Sequence, residues 1–292
     1  MVFKSFDGKE IYVHEWLTKE EPKGVVQIVH GMAEHAARYQ KFAEFLNAHG
    51  YHVVADDHRG HGKTDMGSLG YAAGNMFADT VEDEGKIADY YKAKYPGLKY
   101  FVFGFSYGSF LTQSFLGKYG EKIDGAVIAG SNKKKDFEVY LGSVVAHLKG
   151  QKKPGKLIEK LSFGAYAKKF EDGQWLSADA ENNAAYADDS LSGFTCSNRF
   201  YRDFFKGLKK LYTRKYAAGL NKELPMLLAA GEQDPVGDMG KGMKKLYDFY
   251  KKAGVKDVEL VLFESSRHEF LNEKDDRDKK WGTVLAFFER NL

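Results

Sequence analysis

A chain of 292 residues, 43% hydrophobic and 29% charged with only 5 Pro, is long enough to bury a large core and too apolar for a disordered or collagen-like polymer. Its formal charge of +3 is small, and the basic residues are interleaved with acidic ones as in KEEPK and NEKDDRDKK, so no nucleic-acid partner is expected. A single cysteine, Cys196, excludes an internal disulfide; with no apolar run of membrane-spanning length and no Sec-type leader in MVFKSFDGKEIYVHEW, a cytoplasmic location is expected.

EIYVHEWL (10–17) alternates apolar and polar residues and predicts an early antiparallel strand. GVVQIVH (24–30) and HVVADDH (52–58) are the continuous apolar runs of buried strands. Between those two, residues 37–50 set Tyr39, Phe42, Phe45 and Leu46 on one helical face and stop at Gly50. The unit then repeats: residues 80–96 carry acids early and lysines late, as a helix dipole favours, and lead into YFVFGF at 100–105. A helix over SYGSFLTQSFLGKYG and a strand over 123–130 follow. Apolar strands separated by helices predict an α/β fold, with a mostly parallel central sheet of about eight strands and helices on both faces.

From 131 to 221 that alternation stops. FEVYLGSVVAHL, KLIEKLSFGAYAKKF and FYRDFFKGLKKLYTRKY predict several helices, and DGQWLSADAENNAAYADDSLSG is a polar stretch among them. The sheet pattern resumes with LPMLLAAG (224–231), a helix through MGKGMKKLYDFYKKAG, a strand at 258–263 and a terminal helix KWGTVLAFFERNL. The expected organisation is a core over 1–130, a helical cap inserted over 131–221, and the rest of the core over 222–292. Within the cap, Val139, Leu141, Val144, Val145 and Leu148 lie close to lysines 133–135. They either roof a pocket or make transient contact with a membrane surface, and the roof is the preferred reading.

Ligands of parallel sheets bind at the carboxyl ends of the strands. His30-Gly31, DDHRGHG at 56–62 and FVFGFSYGSF at 101–110 all fall at such ends. In the last of these, Ser106 stands between a strand and a helix, with Gly104 and Gly108 two residues to either side. A tight turn there needs small residues at those two positions; it lifts the Ser106 hydroxyl above the sheet and leaves the Tyr107 N–H at a helix N-terminus. Serine is a weak nucleophile without a base to take its proton. His268, just past strand 258–263, fits the base, and Asp234, in the turn after 224–231, fits the acid that orients it. Glu232 is the local competitor and is disfavoured because it lies too close to the strand end. The order Ser106, Asp234, His268 is that of α/β-hydrolase triads. Two N–H groups, from Tyr107 and Met32, would hold the oxyanion. Phe105 is a candidate pocket residue. His61 reads as a turn histidine bonded to backbone, with no grouping of metal spacing around it, so no metal or organic cofactor is expected.

These stretches together resemble the monoacylglycerol lipase and bacterial lysophospholipase-like group of α/β-hydrolases. HGMAEHAARY (30–39) resembles its HGxxEHxxRY loop, DDHRGHGKTD (56–65) its RGHG turn, GFSYGS (104–109) its serine elbow, GEQDPVG (231–237) its acid turn and RHEFLNE (267–273) its histidine loop; residues 175–208 resemble its cap. The likeness runs nearly the full length. It implies Ser106 as nucleophile, Asp234 as acid, His268 as base and Met32 and Tyr107 as oxyanion donors, with Glu34, His35, Arg59, Gly60, His61 and Gly62 structuring the loops. The implied activity is serine-dependent hydrolysis of lipid-like carboxylic esters, monoacylglycerol or lysophospholipid, through an acyl-enzyme; the implied partner is a small ester with an apolar acyl group. Alternatives are a short-chain or phenolic esterase, another chemistry on the same fold, and a non-catalytic binding protein. Phe105 and Tyr107 stand where the mammalian branch commonly has His and Met, which leaves the substrate open.

Overall fold

The computed structural model of the protein describes residues 1–133 and 150–292. In chain order its main elements are β1 (Val2–Lys4), β2 (Glu10–Trp16), β3 (Gly24–Val29), α1 (Gln40–Ala48), β4 (Tyr51–Asp56), α2 (Met76–Lys94), β5 (Lys99–Phe105), α3 (Tyr107–Tyr119) and β6 (Gly125–Ala129). After these come α4 (Lys156–Ala167), α5 (Ala180–Asp188), α6 (Asn198–Leu208), α7 (Arg214–Ala218), β7 (Met226–Gly231), α8 (Lys241–Lys252), β8 (Val258–Phe263) and α9 (Arg277–Arg290).

The strands form one eight-stranded sheet in the order β1-β2-β4-β3-β5-β6-β7-β8. From β4 to β8 all neighbours are parallel, while β2 runs antiparallel to β4, and β1 antiparallel to β2. The inner strands β3, β4, β6 and β7 are buried at every residue, which is why they read as continuous apolar runs. Successive side chains alternate between two cores. Val26, Ile28, Phe101 and Phe103 pack under α1 and α9 with Phe42, Leu46, Val284 and Phe288; Val25, Val29, Val102 and Ile128 pack under α2, α3 and α8 with Val81, Phe115 and Leu246.

Three local features differ from the sequence expectation, each for a physical reason. β1 is too short to carry a pattern and exists through its pairing with β2. α2 begins at Met76 and not at 80, because the Asn75 side chain accepts the Ala78 N–H at 3.0 Å and caps the helix four residues earlier. Within the polar stretch, α5 forms with no buried residue; Asp179 caps it by accepting the Glu181 N–H at 2.9 Å, and a helix without an apolar stripe leaves no periodicity to read.

Between β6 and β7 the described chain has helices and one isolated bridge, Pro154 with Ser197. α6 is the anchor: the Ser197 hydroxyl caps it through the Phe200 N–H at 3.2 Å, and Phe200, Tyr201, Phe204 and Leu208 join the core beside Phe77, Tyr107 and Phe110. FEVYLGSVVAHL, including Val139, Leu141, Val144, Val145 and Leu148, lies outside the described residues, as do Lys134 and Lys135. Cys196 is buried, and burial pushes its thiol well above the ordinary value, which suits a packing role. No helix among the described residues is long and apolar enough to cross a membrane.

Candidate active site

The turn from β5 to α3 is one residue long. Ser106 fills it with φ 51° and ψ −117°, a backbone state that costs a side-chain-bearing residue on the order of 1–3 kcal/mol and must be held by its surroundings. Its N–H donates to the Ala129 carbonyl at 3.0 Å, and its carbonyl accepts from the Ser109 N–H at 2.9 Å and the Ser109 hydroxyl at 2.5 Å. Glycine is required on both sides. A Cβ at position 104 would run into the Thr112 hydroxyl and the Gly108 carbonyl; one at position 108 would run into the Val29 and His30 carbonyls. The second contact shows that α3 rests directly on the end of β3.

Across the strand ends, the His268 ring lies in the loop after β8. Its Nε2 is 2.8 Å from Ser106 Oγ and its Nδ1 is 3.0 Å from Asp234 Oδ1. Asp234, in the turn after β7, is fully buried; Oδ1 also accepts the Val236 N–H at 2.8 Å, while Oδ2 has no partner among the described residues. Glu232, the competitor, is exposed. This places Ser106, His268 and Asp234 in one hydrogen-bonded line. The imidazole is flanked by Phe105, ring centroids 4.8 Å apart, and by Trp175 at 5.4 Å.

The Tyr107 N–H is in the first turn of α3 and has no intrahelical acceptor. In the loop after β3, the Gly31 N–H donates to Glu34 Oε1 at 2.5 Å and the Ala33 N–H to His61 Nε2 at 3.2 Å. Between them, the Met32 N–H has no acceptor among the described residues. Gly31, Met32, Ser106, Tyr107 and His268 share the wall of a cavity of about 790 Å³. Phe105, Phe110, Phe163, Trp175, Phe204 and Leu208 make much of its lining apolar.

In the wall of this cavity, through Glu34 and Glu269, lies a charged network that the sequence does not place. The Arg38 guanidinium donates to Glu34 Oε2 at 2.5 Å and, through both terminal nitrogens, to Glu269 at 2.5 and 2.7 Å. Burial raises the Glu34 carboxyl above its usual range despite Arg38. Burial acts on Glu269 in the same direction, but the Arg38 charge and then its hydrogen bonds outweigh it and hold that carboxyl low. Glu269 also accepts from Asn182 of α5 at 2.6 Å, and its N–H donates to the Leu176 carbonyl at 2.7 Å, so the histidine loop is tied to the 131–221 segment. His35 makes a second tie, Nε2 to Asp189 at 2.6 Å. Glu273 makes a third: it accepts the Arg267 and Ala178 N–H groups at 3.0 and 2.9 Å and pairs with buried Lys280 of α9 at 3.1 Å. The only sequence signal for these ties is charge placed beside the site motifs.

Arg59 is buried against Asp83 and binds Asp7 through Nη1 at 2.6 Å, which straps the turn after β4 to α2 and the N-terminal hairpin. Both ring nitrogens of His61 meet backbone groups, the Ala33 N–H and the Arg59 carbonyl. A cluster does occur nearby, Asp56, His58 and Glu84, whose ligand-type atoms lie within 4.8 Å of one another. Residues 56 and 84 come from different elements, so spacing could not reveal it.

The chain is similar to known proteins over most of its length. Residues 20–275 match the model of the family described as serine aminopeptidase, S33. A monoacylglycerol lipase of Mycolicibacterium smegmatis is 27% identical over 276 residues, covering 94% of this chain and 91% of its own. The monoglyceride lipase of Saccharomyces cerevisiae is 24% identical over 294 residues, covering 97% and 90%. Among solved structures, a highly thermostable carboxyl esterase from Bacillus coagulans, in complex with glycerol, superimposes with a TM-score of 0.90 at 29% identity over 99% of this chain and 97% of that one. With a family match over most of its length and a sheet that carries serine, acid and histidine at three strand ends, the chain belongs to the serine aminopeptidase S33 family of α/β-hydrolases and is a serine hydrolase.

Proposed function

We propose that the protein hydrolyses lipid-like carboxylic esters, monoacylglycerols or lysophospholipids, through an acyl-enzyme on Ser106. The observation that carries this reading is the line Ser106 Oγ, His268, Asp234 opening on an apolar cavity of about 790 Å³. His268 Nε2 takes the Ser106 proton as the oxygen attacks the ester carbonyl, and Asp234 holds the ring's Nδ1–H and stabilises the imidazolium that forms. The Met32 and Tyr107 N–H groups receive the oxyanion. His268 then returns the proton to the leaving alcohol, and water, activated by the same ring, releases the acid. The described part of residues 131–221 acts as a cap that roofs the cavity, supplying Phe163, Trp175, Phe204 and Leu208 to its lining.

Ester over amide, and lipid over small ester, rest on the likeness to two lipases acting on monoacylglycerol and on the lining. Each methylene buried adds about 0.8 kcal/mol, roughly fourfold in kcat/KM, until the cavity is full. A panel of acylglycerols, lysophospholipids and p-nitrophenyl esters across chain length tests this. The expected result is a rise with chain length, with labelling by a fluorophosphonate and all hydrolysis abolished in Ser106→Ala. Labelling that survives in that variant refutes the nucleophile. A steady fall from acetyl upward favours the short-chain esterase reading. Two finer points belong to the proposal: a cytoplasmic location, and a transient membrane-surface contact through the cap, where Leu157 and Leu161 are 45% and 63% exposed. Loss of vesicle co-sedimentation on Leu161→Ser checks the contact.

A further inference from the structure

His30, His58 and His61 meet in the buried layer under the loop that follows β3, each fully excluded from water. Their hydrogen bonds determine their protonation. His58 Nε2 faces the His30 carbonyl at 3.1 Å; a carbonyl can only accept, so this nitrogen carries a proton. His58 Nδ1 faces Asp56 Oδ2 at 3.0 Å and Glu84 Oε1 at 3.3 Å. With the Asp56 carboxylate on one side and a carbonyl on the other, both nitrogens donate, and the ring is an imidazolium. Burial, and then the adjoining Asp56 carboxylate, push the Glu84 carboxyl well above the carboxylate range. A ring that donates through both nitrogens has no lone pair for a metal, which separates this cluster from a metal centre.

His30 takes the opposite form. Its Nε2 accepts the His58 backbone N–H at 3.1 Å, so its proton is on Nδ1, which donates to the Gly31 carbonyl at 2.8 Å. The two rings stack with centroids 3.7 Å apart and planes 14° from parallel. Burial, and then the neighbouring cation, hold His30 well below its ordinary value. The Gly31 carbonyl and the Met32 N–H belong to one planar trans peptide and point in opposite directions. Whatever holds that carbonyl therefore sets the direction of the N–H.

We propose that His58, as a buried imidazolium, is a positioning residue for the oxyanion site: it holds the His30 carbonyl and ring, and His30 aims the Met32 N–H through the Gly31 carbonyl. This rests on the reading of Met32 as an oxyanion donor. Holding one donor in place is worth up to the loss seen when a donor is removed, about 10²-fold in kcat at the lower end.

Ring nitrogen spectra of the histidine-labelled protein should show one buried imidazolium with both N–H protons retained at pH 8, where a free histidine is neutral. Only neutral buried rings would overturn the assignment. His58→Gln should lower kcat by about 10²-fold with KM unchanged, and weaken a trifluoromethyl ketone, which forms a tetrahedral adduct on Ser106, by the same factor. An unreactive long-chain alcohol should bind as to the unaltered protein; equal weakening of both ligands would reduce His58 to a structural part and overturn the proposal. Should His58→Gln not fold, Asp56→Asn keeps the ring, removes its counter-charge and should give the same split. An ester linkage in place of the Met32 N–H separates the two readings. If it leaves the ketone affinity intact, Met32 is not a donor; if it weakens the ketone while His58→Gln does not, the positioning role alone fails.

Discussion

Asp234 shows how much one buried carboxylate depends on its neighbours. Its Oδ1 receives both the His268 Nδ1–H and the Val236 N–H, so it is held by its own turn before it meets the imidazole. Removing it leaves His268 free to adopt the other tautomer, which points an N–H at Ser106 and cannot take its proton. Asp234→Ala is therefore expected to lower kcat by about 10⁴-fold with little change in KM. Glu232→Ala, at an exposed position, should leave both constants unchanged. The reverse pattern in steady-state assays would move the acid to Glu232. The order and the strand-end placement of Ser106, Asp234 and His268 are legible in the sequence. Trp175 against the His268 ring is not, because 93 residues separate them and a lone tryptophan in a polar stretch carries no pattern.

Helix α3 is where local propensity and packing oppose each other. Gly108 sits in its first turn, where alanine would favour the helix by about 1 kcal/mol. A methyl group there would press on the Val29 and His30 carbonyls, which belong to a strand end and cannot give way. Overpacking of this kind costs about 1–3 kcal/mol, so packing wins. Gly108→Ala is predicted to lower the urea midpoint, and also kcat, because it moves Tyr107 away from Met32; a midpoint raised above that of the unaltered protein would show that propensity decides. At the same scale, the buried strands were readable from apolar runs and α1 from its Phe42 and Leu46 stripe, whereas α5 carries no stripe.

Across the whole molecule, the histidine layer links stability to pH. The His61 ring is held neutral, its pKa pushed down to about 3 by burial and then by the His58 cation. Below about pH 6.5 the unfolded chain takes up a proton there and the folded chain does not. This contribution is complete above the unfolded value and is lost as pH falls towards the folded one; His30 acts in the same direction. His58 is opposite in sign. Burial opposes its charge, but Asp56 outweighs burial and raises its pKa, so its contribution is present below the unfolded value and is lost as pH rises through the folded one. His61→Asn removes one acid-sensitive term and should flatten the fall in urea midpoint between pH 6.5 and 5. An unchanged slope would place the acid sensitivity elsewhere.

Period-two and helical patterns, two glycines around a serine, and the order of serine, acid and histidine along the chain determine the sheet class and the candidate site, because each depends on neighbours close in sequence or on strand ends the pattern itself marks. The Arg38 bridge from Glu34 to Glu269, the seating of α6 on Tyr107 and Phe110, and the stacking of His58 on His30 were decided by tertiary structure alone. Residues 38 and 269 are 231 positions apart. What joins them is a buried charge that must find partners wherever the folded chain brings them, and that requirement leaves no period in the sequence.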